Sequence, residues 1–427
     1  MHCSTWDYAK HLELASAVAE RFKPMIFLHS SMQSDYSGSF SFLCFDAYES
    51  SSNSFHELNE QLNASKASDS DFFGLLSYEL KHELEQLEKS SKGRIQLPKL
   101  LMHRYNIVMR FDHQLKTCTV FHRSVDDLNK IPKPNTSGPL QCTLAKLESN
   151  MTKSEYLQKV RDILEAIHRG DLYQANLTRK FYCEIQSLSS PFSLFNTLCQ
   201  VSPAPYSAFM QFDDTVIISS SPERFIHSDS KGQIHCQPIK GTAARHPNTA
   251  KDMENKARLA ESSKDKAENL MIVDLMRHDL SKHCETHSVS VPALYAIHSY
   301  ETVHHMSSII SGTRKASSSA VDVISACFPP GSMTGAPKIQ AMSLCSQLEQ
   351  VERGVYSGAL GYISADGSID LSVVIRTIII QGNTLEFQVG GAIVADSEPI
   401  KEWQETLNKA RGICQTLGLS PEKHLAF

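Results

Sequence analysis

The chain has 427 residues, with 42 Lys and Arg against 47 Asp and Glu, for a formal charge of −5. This balance leaves no basic footprint for nucleic acid. No run of about 18 apolar residues offers a membrane span, and Met1 to Asp7 lacks the basic and apolar regions of a secretory signal. The 41% hydrophobic and 21% charged content is that of an ordinary globular protein, and the length predicts two or three domains or one large unit. Eleven cysteines contain no CxxC pair. That excludes zinc-knuckle and thioredoxin motifs and points to buried thiols in a reducing cytoplasm.

In chain order, Ser30 to Ser70 is rich in Ser and Asp with short aromatic runs, which reads as strands and polar turns. Lys130 to Gly138 is a turn-rich connector. It separates an N-terminal part, 1–140, from a region at 150–427. Thr152 and Glu155 form a capping box ahead of Tyr156, Val160, Ile163, Leu164 and Ile167 at helical spacing, and Gly170 is the stop. Strands are expected at 181–185, 206–212 and 215–219. Residues 249–280 read as helix in two pieces, and 337–348 as a helix with Pro337 in its first turn and Thr334 or Gly335 at its cap. Strands at 355–364 and 369–380 flank the hairpin dipeptide Asp366-Gly367. Another strand follows Gly382-Asn383, and a final helix runs from about Ser397 to Leu417. Hairpins with separate helices argue for an α+β fold.

Four constellations carry chemistry. Asp265 and Glu268 share one helix face, and Glu402 and Glu405 another, with Lys409 four residues on. Two such faces opposed would suit a hard cation such as magnesium (Mg2+); apart, they are solvated faces with a Glu405–Lys409 ion pair. Arg376 lies in an otherwise apolar run and needs an anion, either a structural carboxylate or a ligand. The Gly331–Lys338 loop opens a helix, which is an anion site or a plain cap. It lacks the Gly-Lys-Ser/Thr ending of a phosphate loop. Lys240, between Pro238 and Gly241, is a surface lysine or a nucleophile of lowered pKa. Glu223 is a general acid or the partner of Arg224. Cys414 faintly resembles an amidotransferase elbow but lies in the last helix, and it is read as core.

Taken together, SPERF (221–225), PIKGT (238–242), KDKAENLMIVDLMRHDL (264–280), TVHHMSS (302–308), FPPGSMTGAPKIQAM (328–342), YSGALGYIS (356–364), IRT (375–377), GGAIVADS (390–397) and EWQETLNKA (402–410) resemble the chorismate-utilising enzymes. Order and spacing hold from about Thr152 to the end. The N-terminal part matches more loosely. The resemblance implies a large two-subdomain β-sandwich flanked by helices, like that of anthranilate synthase component I. It implies Mg2+ held by Glu268 and Glu405 with Asp265 and Glu402 beside them. The substrate chorismate would be held by Arg376, Tyr362, Lys409, Thr334 and the Gly390-Gly391 backbone, with His305 near its ring. Glu223 would be the acid for the departing C4 hydroxyl. Hydrolytic members carry a Lys where this chain has Gln174, which implies ammonia as nucleophile. Members that form anthranilate usually carry Ala where this chain has Lys240. Lys240 therefore implies the branch that aminates C4 on the way to para-aminobenzoate and folate. Anthranilate formation and an inactive ligand-binding relative are the alternatives. With no amidotransferase motif in the chain, a separate glutamine amidotransferase subunit is expected to supply ammonia. Pro330 and His278 depart from the family's usual Gly and Asn.

Overall fold

The computed structural model describes every residue except 9, 33–38, 52–53, 67–68, 301–302 and 426–427. Thr302 of the TVHHMSS segment therefore lies outside the described residues, as do parts of Ser30–Ser70. The described strands pair antiparallel into one extended network, which includes a short ladder of Cys142–Leu144 on the end of Gln174–Leu188.

Alternation along the strands builds three apolar layers. Ile26, Met210 and Ile217 point into a layer made almost wholly of strand residues, with Phe73, Leu75, Tyr105 and Leu360 opposite them. Their chain neighbours Phe27, Phe209 and Ile218 point the other way, onto helices at 153–168, 191–201 and 399–416. A second outer layer packs Phe225, Ile226 and Leu371 against helices at 263–281 and 320–327. A strand-only interior between two helix-covered faces is an α+β sandwich flanked by helices. The N-terminal strands are built into it: Met25–His29 pairs with Tyr206–Phe212, and Phe72–Leu76 with Ala359–Ile363.

Most helix boundaries follow their caps. Thr152 and Glu155 exchange the reciprocal bonds of a capping box, and the helix runs Lys153–His168. Ser262 ends Thr249–Glu261 and caps Ser263–Ser281, the two pieces expected. The expected final helix is Pro399–Thr416, with Cys414 fully buried, and one further turn, Pro421–His424, follows it. Four readings need correction. Within Ser30–Ser70 a helix stands at Phe55–Asn63, capped by Ser54; its apolar contacts are only Phe55, Leu58 and Leu62, too few to stand out among serines. Pro337 is the N-cap of Lys338–Glu349 and not part of its first turn. Thr334 closes a separate short turn, Gly331–Thr334, and Gly335 pairs with Ala175, so neither is the cap. The expected strand 369–380 is two strands, Ile369–Val373 and Thr377–Gln381, broken where Arg376 takes φ 51°.

Candidate active site

A cavity of about 730 Å³ opens between the sheet and the helices at 263–281 and 399–416. Three backbone features build its walls. The strand Ile239–Ala244 carries Lys240, and its Gly241 (φ 82°) lies so close to the helix at 263–281 that a Cβ there would stand 2.8 Å from Asp265 Cγ. Only glycine permits that approach. Gly390 pairs with Thr178 across the long hairpin, and a Cβ there would meet Leu177 O at 2.5 Å. The left-handed turn at Arg376 swings its side chain out of the strand alternation and into the cavity.

Most of the expected residues converge here. Glu223, Lys240, Asp265, Glu268, His305, Arg376, Gly390, Glu405 and Lys409 all line the cavity. Glu402 sits just behind it, 1% exposed, accepting from Ser397 Oγ at 2.6 Å. A Cβ on Gly391 would lie 3.4 Å from Glu402 Oε2 and 3.5 Å from Glu405 Oε1, so Gly391 brings bare backbone against both carboxylates. Thr334 is buried beside the lining residues Ser332 and Met333, with its hydroxyl turned back to Pro330 O and Gly331 O. Gln174 is fully buried two residues before the lining Asn176, and neither amide atom has a hydrogen-bond partner among the described residues.

Tyr362 does not reach this site. It lines a second cavity of about 360 Å³ with His29, Phe42, Arg224 and Asp370. The tyrosine on the first cavity is Tyr356. Reading 355–364 as one strand hid this, because the strand begins only at Ala359 and Tyr356 lies in the turn before it, with Ser357 at φ 68°. Sequence reasoning also missed Lys264, Asn176, Ser332 and Gln388 on the wall. The glycine after Tyr356, Gly358, was the available signal: a Cβ there would stand 2.1 Å from Leu76 O.

The electrostatics are those of a site short of counterions. Burial pushes the Lys240 ammonium below its ordinary pKa, against the opposing pull of Glu268 and Glu223. Its Nζ donates to Ser332 O at 3.3 Å. Burial raises Glu223, against a hydrogen bond from Ser332 and the charge of Lys240. Burial also raises Glu268 and Glu402. Burial would raise Glu405 too, but the Lys409 ammonium at 2.6 Å outweighs it and holds Glu405 low. Lys409 also donates to Gly390 O at 2.9 Å. Lys264 stands 3.8 Å from Glu268 and 3.6 Å from Glu402. Burial lowers Arg376, with Glu223 the opposing charge; among the described residues no carboxylate lies within salt-bridge distance of its guanidinium. His305 is driven to about 3 by burial and by Arg376, and neither ring nitrogen is hydrogen-bonded. It is therefore a neutral imidazole.

Among the described residues, no three His, Cys, Asp or Glu side chains stand in metal-holding geometry. The donor chemistry nevertheless suits a hard cation: buried carboxylates from two helices, with Glu402 Oε2 buried and unpartnered. An arrangement with an unpaired guanidinium, a half-buried amine and a raised carboxyl can hold a multiply charged anion, attack it and protonate a leaving group.

Comparison with known proteins places the chain by similarity. A family model described as chorismate binding enzyme matches residues 15–415. Aminodeoxychorismate synthase component 1 of Escherichia coli is 37% identical over 347 residues, 81% of this chain and 76% of that one. Anthranilate synthase component 1 of Bacillus pumilus is 38% identical over 299 residues, 70% of this chain and 57% of that one. The crystal structure of anthranilate synthase component I from Streptococcus pneumoniae superimposes with a TM-score of 0.77 at 28% identity, covering 87% of this chain and 91% of that one.

Proposed function

We propose, from the premise that the chain belongs to the chorismate-binding enzymes and is a chorismate-utilising enzyme, that it acts as component 1 of an aminodeoxychorismate synthase. It would convert chorismate and ammonia to 4-amino-4-deoxychorismate. The observation that carries this reading is Lys240: an amine on the cavity wall, its pKa lowered by burial, beside a carboxyl raised by burial.

In this mechanism Arg376 and Lys409 hold the substrate's carboxylates and the Gly390 backbone lets them approach closely. Lys240 Nζ, neutral, forms a bond to ring C2; the ring double bonds shift and the C4 hydroxyl departs with the proton of Glu223. Ammonia then bonds to C4, the double bonds shift back, and the C2–Nζ bond breaks to free Lys240. One hard substitution becomes two easier ones. His305, neutral, packs by the ring without adding a second positive charge. Glu268, Glu405, Glu402 and Asp265 would hold Mg2+, which supplies a cation for the ring carboxylate. The ammonia would come from a separate amidotransferase component. No helix among the described residues is long and apolar enough to cross a membrane, and the cytoplasm is the proposed location.

The test is incubation of the purified chain with chorismate, magnesium and ammonium, with the product identified by mass and fluorescence. 4-Amino-4-deoxychorismate is expected. Anthranilate as the main product, or untouched chorismate, refutes the reading.

A further inference from the structure

Behind the cavity, off its wall, lies a fully enclosed cation that the mechanism above does not use. Arg353 is 2% exposed. Its Nε and NH2 groups donate to the Glu349 carboxylate at 2.8 and 2.7 Å. The remaining donors end on other segments: Asn176 O at 2.6 Å, Met333 O at 2.7 Å and Ser357 Oγ at 3.3 Å. Asn176 and Met333 line the cavity, and Ser357 follows Tyr356, which does too. The Glu349 carboxylate also accepts from Thr178 N at 3.0 Å, opposite Gly390. One guanidinium thus ties together the strand, the short turn and the loop that carry Asn176, Met333 and Tyr356.

We infer that Arg353 is a positioning residue for the reaction proposed above, on which this inference rests. It reaches all three wall segments at once, and so adds the Tyr356 loop to the strand and turn that Gly335 and Ala175 already pair. Chain spacing disguised this role. Glu349 and Arg353 read as an ordinary i,i+4 helix pair, but the helix ends at Glu349 and Gln350 turns left-handed at φ 62°. The Arg353 backbone is held in turn from the N-terminal part, where Glu79 Oε1 accepts from Arg353 N at 3.0 Å and Gly354 N at 3.3 Å. A planar fork presents five donors in fixed directions, whereas a lysine ammonium has three on a flexible stem and cannot reproduce that pattern. The lysine variant therefore separates position from charge.

The experiment compares wild type, Arg353→Lys and Ser357→Ala at a temperature well below each variant's measured Tm. Chorismate affinity is read by calorimetry, and kcat and KM with ammonium. For Arg353→Lys we expect at least tenfold weaker binding and a kcat about 100-fold lower, the scale of a small misplacement of binding groups. Ser357→Ala, which removes one acceptor, should move both in the same direction by about threefold. A purely structural role leaves affinity and kcat of the folded variants unchanged. Folded Arg353→Lys with wild-type values overturns the inference. If that variant does not fold, wild-type affinity and kcat in Ser357→Ala overturn it instead. A wild type that makes no 4-amino-4-deoxychorismate refutes the proposed reaction, and the calorimetric affinities then decide this inference alone.

Discussion

Arg224 lines the cavity that holds Tyr362, and its guanidinium meets Asp370 twice, Nε to Oδ1 and NH2 to Oδ2, each at 3.0 Å. Burial works against its charge, but Asp370 more than compensates and holds Arg224 above its ordinary pKa. Arg376 lines the other cavity, is also enclosed, and has no carboxylate within ion-pair distance among the described residues; burial lowers it. The same residue type is thus a finished internal contact in one place and an unsatisfied charge in the other. A buried cation costs free energy unless paired. The fully buried Arg179 also lacks a carboxylate, but its guanidinium donates to Thr406 Oγ1 and Leu425 O; on the proposed function, an anionic substrate would supply the partner that Arg376 lacks.

If the first cavity is the reacting one, the largest losses come from its nucleophile and carboxylates. Lys240→Ala should abolish 4-amino-4-deoxychorismate formation, and a chorismate analogue that traps amines should label Lys240 in wild type. Wild-type product rates in Lys240→Ala would reduce Lys240 to a positioning role. Glu268→Gln and Glu405→Gln should each lose magnesium-dependent turnover while circular dichroism stays native, and full activity in either removes the metal assignment.

The arginine pair comes next. Arg376→Met should lower kcat/KM about 10²- to 10³-fold, the range for losing a group aimed at a reacting charge. Its Tm should hold or rise, because an unpaired buried charge is gone. Arg224→Met should do the reverse, costing about 3 kcal/mol by stranding Asp370. Equal destabilisation by both, measured by urea unfolding, would erase the contrast. A milder version uses the tyrosines. Tyr356→Phe should lower kcat/KM about tenfold through one lost hydroxyl contact with substrate. Tyr362→Phe should change it less than twofold.

The smallest effect concerns two histidines in the N-terminal part, near the second cavity. Burial lowers His29 to about 3 and His113 to about 4 from the ordinary 6.5. The unfolded chain therefore binds more protons between those values. Stability is fully present above about pH 6.5 and declines as pH falls toward 4, by up to about 1.4 kcal/mol per pH unit for His29 and by less for the more solvated His113. Urea midpoints at pH 7.0 and 5.5 should show this, and His29→Gln should flatten the slope. An unchanged midpoint in wild type contradicts it.

The sequence made some of this legible and hid the rest for identifiable reasons. Helices with side-chain caps, at Thr152 and Ser262, were readable to within a residue because a cap is a local contact. The carboxylate faces around Glu268 and Glu405 followed from helical period alone. The motif order pointed to Lys240 and Arg376 before any cavity was seen. Hidden were features decided by tertiary contact: the φ 51° turn at Arg376 inside an apolar run, and the late start of the strand after Tyr356. Nothing in those side chains announces a positive φ. Arg353 was hidden differently, because its spacing from Glu349 imitates a surface pair while its partners lie on three distant segments.

The pairing of early strands with late ones sets the order in which this chain can be finished during synthesis. Phe27 waits for Phe209, roughly 180 residues later, and Phe73 for Tyr362, roughly 290 residues later. At ribosomal speeds of about 5–20 residues per second, the second wait lasts on the order of 15–60 seconds. Until then the Phe72–Leu76 edge is open to other chains, so slowing translation should lower the soluble yield more than the activity of each molecule that folds.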